Sequence, residues 1–376
     1  MSIEKQYIRG LRNVAACETH LSFVDPLGAL YYVGYDIDRL LGRVCYEEVI
    51  HLLIYKKLPN QSELKEIRKT LFIEMSLPEE IIQSIRNTPK TVHPMDILRA
   101  EISNLAQYDS DLNDDSTSTN IRRALSLIAK VPTLVSTIYR VRSNQEIVYP
   151  KKGYDFVENF LYIFRGKPVK EMEKEALERY MILHADHGLN ASTFSARVTA
   201  STLSDMYSAV ISAIGTLKGR LHGGASERVM DMLLDVNDHK AVEEYIEGRL
   251  FDRKRIMGFG HRVYVTNDPR ARHLKEISES LCLSTDRMDL YQIFRKIQAV
   301  VHEKKKIYPN VDFYASLVLN VLNIPKEFFT LFFASSRITG WTAHILEQYS
   351  DSVLLRPTSR YSGAYGTRFV SIKHRK

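Results

Sequence analysis

The chain has 376 residues, 44% hydrophobic and 26% charged, with a net charge of +7 and a pI near 9.0. Such a chain buries a large core, favours two domains over one, and excludes a disordered protein or a small domain that needs metal or disulfide staples. Its cysteines, Cys17, Cys45 and Cys282, are odd in number and lack any Cys-x-x-Cys, which argues against a disulfide framework or a thiolate zinc site and fits a reducing compartment.

The N-terminus, MSIEKQYIRG, lacks the apolar core of a secretory signal. The apolar run Phe328 to Ala334 is too short to cross a bilayer, so a cytoplasmic protein with no membrane partner is expected. Leu30 to Val33, before Gly34, reads as a short hairpin arm. Tyr46 to Lys57 carries Val49, Leu52 and Leu53 on one helical stripe and ends at Leu58-Pro59. A helix opens at Ser62, and another after Leu77, with Pro78 at its first position and Glu79 and Glu80 in its first turn. Asp109 to Asn120 is a polar loop that ends in N-cap residues. Helices are then expected over Thr119 to Tyr139, Lys170 to His184, Ser226 to Leu234, Asp286 to Lys305 and from Lys326 onward, with an edge strand at Phe369 to Ile372. The fold class is mainly α, and the alternation of strand and helix found in dinucleotide-binding sheets is absent. Positive charge predicts anionic partners. Its two local runs, Lys304 to Lys306 and Lys373 to Lys376, are too short for a nucleic-acid arm.

Four stretches concentrate histidine, arginine, aspartate and glycine: Leu183 to Thr193, Leu221 to Ala225, Met257 to Arg270 and Tyr308 to Tyr314. His222 precedes two glycines and a helix start, where positive potential favours a neutral imidazole able to donate to a developing enolate; a histidine in a tight loop is the ordinary alternative. His261 lies in a Gly-Phe-Gly-His run that is no dinucleotide fingerprint, because no strand precedes it and no third glycine follows. Arg270, after an Asp-Pro turn, has the fork geometry of a carboxylate clamp, or is a surface arginine. Asp312 is either a general base or a helix N-cap. His184 and His187, three apart at a helix end with Asp186 between them, share one face, which admits a metal-dependent hydrolase, although no further ligands follow at recognisable spacing. Trp341, the only tryptophan, reads as core.

Taken in order, HADHxLNAST, LHGGA, MGFGHRVYxxxDPRA, PNVDFY, SRxxGWxAH and Arg-Pro resemble the citrate synthase family over nearly the whole chain. The resemblance implies a multihelical fold, with a large domain (1–222 plus 324–376) and a smaller lobe (223–323) that closes over the substrates. It implies a homodimer or higher assembly and condensation of acetyl-CoA with oxaloacetate, an acyl transfer. The acyl-CoA is a co-substrate, with no permanent cofactor, no metal and no nucleic acid. Residue by residue, His222, Asp312 and His261 would be catalytic. His187, Arg270, Arg337 and Arg356 would bind oxaloacetate, Arg356 reaching in from the partner subunit. Arg255, Ile256, Met257, Gly258, Phe259 and Gly260 would line the adenine end of CoA. The shared motifs also admit 2-methylcitrate synthase, which uses propionyl-CoA. The chain departs from the common pattern at Val265, Gly188, Ser226 and Thr358, and Arg262 or Lys254 would replace the charge missing at Val265. A basic helical scaffold for nucleic acid is the non-enzymatic alternative.

Overall fold

The computed structural model describes residues 7–12, 14–236 and 239–375. The first six residues of the N-terminal stretch and the last of the basic tail lie outside them. The chain opens with a small antiparallel sheet of β1 (Ser22–Asp25), β2 (Ala29–Tyr32) and β3 (Tyr35–Asp36), in that spatial order, with Ser22 opposite Tyr32 and Tyr31 opposite Asp36. Helices follow: α1 (Ile37–Leu40), α2 (Tyr46–Tyr55), α3 (Gln61–Glu74), α4 (Glu79–Asn87), α5 (Pro94–Leu105), α6 (Thr117–Arg142), α7 (Phe156–Arg165) and α8 (Glu171–His184). After these come α9 (Ala191–Ala200), α10 (Met206–Leu217), α11 (Ala225–Asp235), α12 (Val242–Phe251), α13 (Pro269–Ser284), α14 (Met288–Lys305), α15 (Val311–Val321) and α16 (Phe329–Asp351). The fold is mainly α.

Most helix starts carry a side-chain cap that satisfies otherwise orphaned N–H groups. Asn60 and Glu63 cap α3 reciprocally, Ser116 caps α6, which starts two residues before the expected Thr119, and Asn190, Asp205 and Asp268 cap α9, α10 and α13. Helix α6 is the one described helix long and apolar enough to cross a membrane; its apolar window is 78% buried inside the fold, so it is a core helix. It packs against α16, which also meets α2, α8, α9 and α10. Trp341, Phe332 and Ile338 of α16 are fully buried, so this helix forms an axis of the core. Helices α11 to α15 pack on one another, and α13 and α15 meet α8.

Two expectations fail. Phe369 to Ile372 forms no strand, because no neighbouring strand among the described residues offers hydrogen bonds; Phe369 is 81% exposed, and a 3-10 turn at Ile372–His374 follows. Helix α8 stops at His184, so His184 and His187 share no helical face.

Candidate active site

The turn after α8 is fixed from two sides. The Gly340 N–H donates to the Ala185 carbonyl at 3.0 Å, and a Cβ at position 340 would lie 2.4 Å from that oxygen. Gly188 completes the turn with φ +56°, a conformation glycine adopts without steric cost. His187 is thereby buried beside His261, with ring centroids 5.3 Å apart, and its Nε2 lies 3.1 Å from the Tyr264 hydroxyl. His261 Nδ1 accepts the N–H groups of Val263 and Tyr264, both at 3.1 Å. Its proton therefore sits on Nε2, which faces Arg270 Nη2 at 3.4 Å. Two adjacent donors suit a single acceptor that both can reach.

Arg270 stands in the first turn of α13, not on a free loop, and Asp268 pairs with it in a fork: Nε to Oδ1 at 3.0 Å and Nη2 to Oδ2 at 2.8 Å. Asp268 Oδ2 also accepts the Val311 N–H at 3.1 Å, which ties α13 to the start of α15. Arg337 of α16 differs. It donates through Nε to the His184 carbonyl at 2.6 Å and lies over the Phe333 ring at 4.7 Å, yet its buried Nη2 has no partner among the described residues. Burial without a bonded carboxylate pulls its pKa down to about 10. An unpaired buried guanidinium is costly unless an anion completes it.

The second half of the cluster is built from serines. His222 Nε2 faces the Ser192 N–H at 3.3 Å and the Ser192 hydroxyl at 2.8 Å. A backbone N–H can only donate, so Nε2 accepts and the proton resides on Nδ1, which has no protein partner among the described residues. Trp341 Nε1 donates to the same Ser192 oxygen at 3.1 Å, so the tryptophan read as core also braces His222. Asp312 is not the N-cap of α15; Asn310 holds that place and accepts the Asp312 N–H. The Asp312 carboxylate instead accepts the Ser226 hydroxyl at 2.7 Å through Oδ1.

The electrostatics divide the ionisable groups. Burial, then Arg337, pulls His222 down to about 4; burial, then Arg270, pulls His261 down to about 4. Burial, then Arg270, holds His187 well below its ordinary value, and His184 likewise. All four rings are neutral near pH 7. Asp312 moves the opposite way: burial raises it, against Ser226 and Arg270. A raised carboxylate beside neutral imidazole donors suits abstraction of a weakly acidic carbon-bound proton with stabilisation of the resulting oxyanion.

The strip from Arg255 to Gly260 runs along the segment that leads to Asp312. The Gly260 N–H donates to the Tyr308 carbonyl and the Asn310 N–H to the Gly258 carbonyl, both at 2.9 Å. A Cβ at Gly258 would lie 2.9 Å from both Phe313 and Val229, so this backbone approaches α11 and α15 as only glycine permits. A cleft of about 310 Å³, lined by Lys275, Arg295 and His302 among others, borders the same segment at Tyr308 and Pro309; none of the cluster histidines lines it. Arg356 is exposed beyond α16, and no hydrogen bond or ion pair among the described residues joins it to the cluster. Arg262 is engaged with the Gly10 carbonyl and Lys254 with Asp252. Among the described residues no group of three or more His, Cys, Asp or Glu is arranged to hold a metal; His184 Nδ1 lies 2.8 Å from the Tyr180 carbonyl instead. Sequence reasoning gave no role to Ser192, Tyr264, Asp268 or Ser226. Ser192, Tyr264 and Asp268 lie inside the quoted motifs and Ser226 directly follows one, but a hydroxyl or carboxylate that orients a neighbour carries no spacing signal of its own.

Comparison with known proteins agrees with this geometry. The family described as citrate synthase, C-terminal domain, matches residues 10–358. Citrate synthase 2 of Bacillus subtilis is 45% identical over 98% of this chain and 99% of its own length. A citrate/2-methylcitrate synthase of the same organism is 37% identical over 96% of this chain and 98% of its own. A Thermoplasma acidophilum citrate synthase, solved as a ternary complex with carboxymethyl coenzyme A and oxaloacetate, superposes with a TM-score of 0.93 at 31% identity, covering 98% of this chain and 100% of its own. With all its motifs but the exposed Arg356-Pro357 gathered into one cluster and relatives aligned end to end, the chain belongs to the citrate synthase family.

Proposed function

We propose that this protein condenses acetyl-CoA with oxaloacetate to give citrate and free CoA. The observation that carries the reading is the opposed tuning of the cluster: a raised Asp312 carboxylate beside two neutral imidazoles, His222 with its proton on Nδ1 and His261 with its proton on Nε2, next to Arg270. Asp312 takes the α-proton of the thioester, and His222 Nδ1–H holds the carbonyl oxygen as it gains enolate charge. His261 Nε2–H donates to the ketone oxygen of oxaloacetate as the carbon–carbon bond forms. His187, Arg270 and Arg337 hold the dianion, and Arg337 Nη2 gains the acceptor it lacks. Water then cleaves the thioester and releases the thiol.

In this reading residues 223–323 are the lobe that closes, and the strip Arg255 to Gly260 takes the adenine end of CoA. Arg356 completes the dianion site of a second copy. Exposed apolar side chains along the same C-terminal segment, Tyr361 at 71% and Tyr365 at 97%, support an assembly of at least two chains. The three free cysteines fit a cytoplasmic enzyme. Propionyl-CoA is the second acyl donor to consider, because relatives of both kinds align over the full length and one methylene in an apolar pocket is worth only about 1–3 kcal/mol. Thiol release from acetyl-CoA and from propionyl-CoA, each with oxaloacetate, tests the reading. Faster turnover of acetyl-CoA supports it, faster turnover of propionyl-CoA moves the activity to 2-methylcitrate synthesis, and no release above a blank without oxaloacetate overturns it.

A further inference from the structure

Asp312 presents two oxygens to the cluster, and only one is held. Its Oδ1 accepts the Ser226 hydroxyl at 2.7 Å, the single protein hydrogen bond to this carboxylate among the described residues. Ser226 is 3% exposed and sits in the first turn of α11, four residues after His222. The intervening turn is tight: the Gly223 N–H donates to the Leu217 carbonyl at 2.9 Å, and a Cβ at 223 would lie 2.7 Å from that oxygen. Segment 222–226 therefore carries both the imidazole that faces the thioester and the hydroxyl that grips the base. The two reacting groups are registered to each other through one rigid turn, although they stand 90 residues apart in sequence.

We propose that Ser226 is a positioning residue for the condensation: its hydroxyl fixes the Asp312 side chain, reserves Oδ2 for the proton, and keeps the carboxylate ionised in a buried site. This rests on Asp312 being the base. The charged and titratable groups around Asp312 are Arg270 and Asp268 at the start of α13, Arg337 on α16 and Tyr180 on α8. The cations favour the ionised form; Asp268 and burial oppose it. Ser226 supplies the remaining stabilisation, a hydrogen bond donated to the charged form. Without it the neutral acid gains ground, so the acid limb of the rate profile moves up. The loss of one hydrogen bond to a charged group corresponds to an upward move of about one pH unit. Asparagine also offers a donor, and threonine keeps the hydroxyl.

The experiment compares wild type with Ser226→Ala, Ser226→Thr, Ser226→Asn and Asp312→Asn, following thiol release from acetyl-CoA with saturating oxaloacetate between pH 5 and 9. Ser226→Ala is expected to lower kcat about tenfold at pH 7 and to raise the acid limb by about one unit, with the KM for oxaloacetate unchanged. Threonine or asparagine restores at least part of both. If the limb stays put in Ser226→Ala while Asp312→Asn is inactive, the base stands and the role given to Ser226 is wrong. If Asp312→Asn keeps activity, the assignment of the base itself falls. If Ser226→Ala loses activity with an unmoved limb and a melting point lowered by many degrees, the serine is merely structural and the proposal is overturned.

Discussion

The two halves of the site are built on different principles. The half around His187, His261, Arg270 and Arg337 is rich in buried positive charge, and its two arginines are balanced unequally. Arg270 carries its own carboxylate in Asp268, whereas Arg337 leaves a buried Nη2 without a partner. The half around His222 and Asp312 holds one imidazole and one carboxylate, each gripped by a neutral serine. The first half awaits a ligand that completes its charge. The second is held on one side of each group, with His222 Nδ1 and Asp312 Oδ2 left for a carbon acid placed between them. A dianion that binds first would thus finish the electrostatics of the pocket before the thioester is enolised.

Substitutions at the two arginines sharpen this contrast most. Arg270→Leu leaves Asp268 buried and unpaired, and is expected to cost about 3–5 kcal/mol of stability as well as oxaloacetate binding. Arg337→Leu abolishes oxaloacetate binding too, yet should cost the empty enzyme at most about 1 kcal/mol, because it removes a buried charge that lacks a carboxylate partner. Thermal melts of the two variants with and without oxaloacetate distinguish these outcomes; equal destabilisation would erase the difference between the arginines. Next in size is a pH effect. His222 and His261 titrate near 4 when folded against 6.5 when free. Depressed values mean that their contribution is present above pH 6.5 and lost as pH falls toward 4, by at most about 3 kcal/mol for each ring. The melting point should drop across that window, and less steeply in His222→Gln. Gly340→Ala forces α16 away from the 185–188 turn; a loss of about 1–3 kcal/mol and a raised KM for oxaloacetate are expected, read by melting and steady-state kinetics. The smallest effect belongs to Ser192→Ala. It frees His222 and should lower kcat about fivefold with little change in melting point, since only one hydrogen-bonded network relaxes.

Helix periodicity and proline punctuation placed most of the large helices within a few residues, because a stripe such as Val49, Leu52 and Leu53 states which face is buried. The ordered motifs named the histidines, Asp312 and the arginines. What they left open was who holds whom. A hydroxyl such as that of Ser192 or Ser226 finds its partner through tertiary packing, across segments separated by 30 and 86 residues. The strand expected at Phe369 to Ile372 had suitable residues but no neighbour, since β-pairing is a property of two segments and the sequence pattern reports only one. The His184 and His187 pair illustrates the converse, because a spacing that promises a shared face means nothing once the helix ends between them.

The most direct test of the central claim is the rate of thiol release from acetyl-CoA in the presence and absence of oxaloacetate, for wild type and for Asp312→Ala. The account predicts release that depends on oxaloacetate and falls by at least about a hundredfold in the variant, as removal of a positioned general base requires. Release that ignores oxaloacetate, or that survives the loss of Asp312, would contradict it.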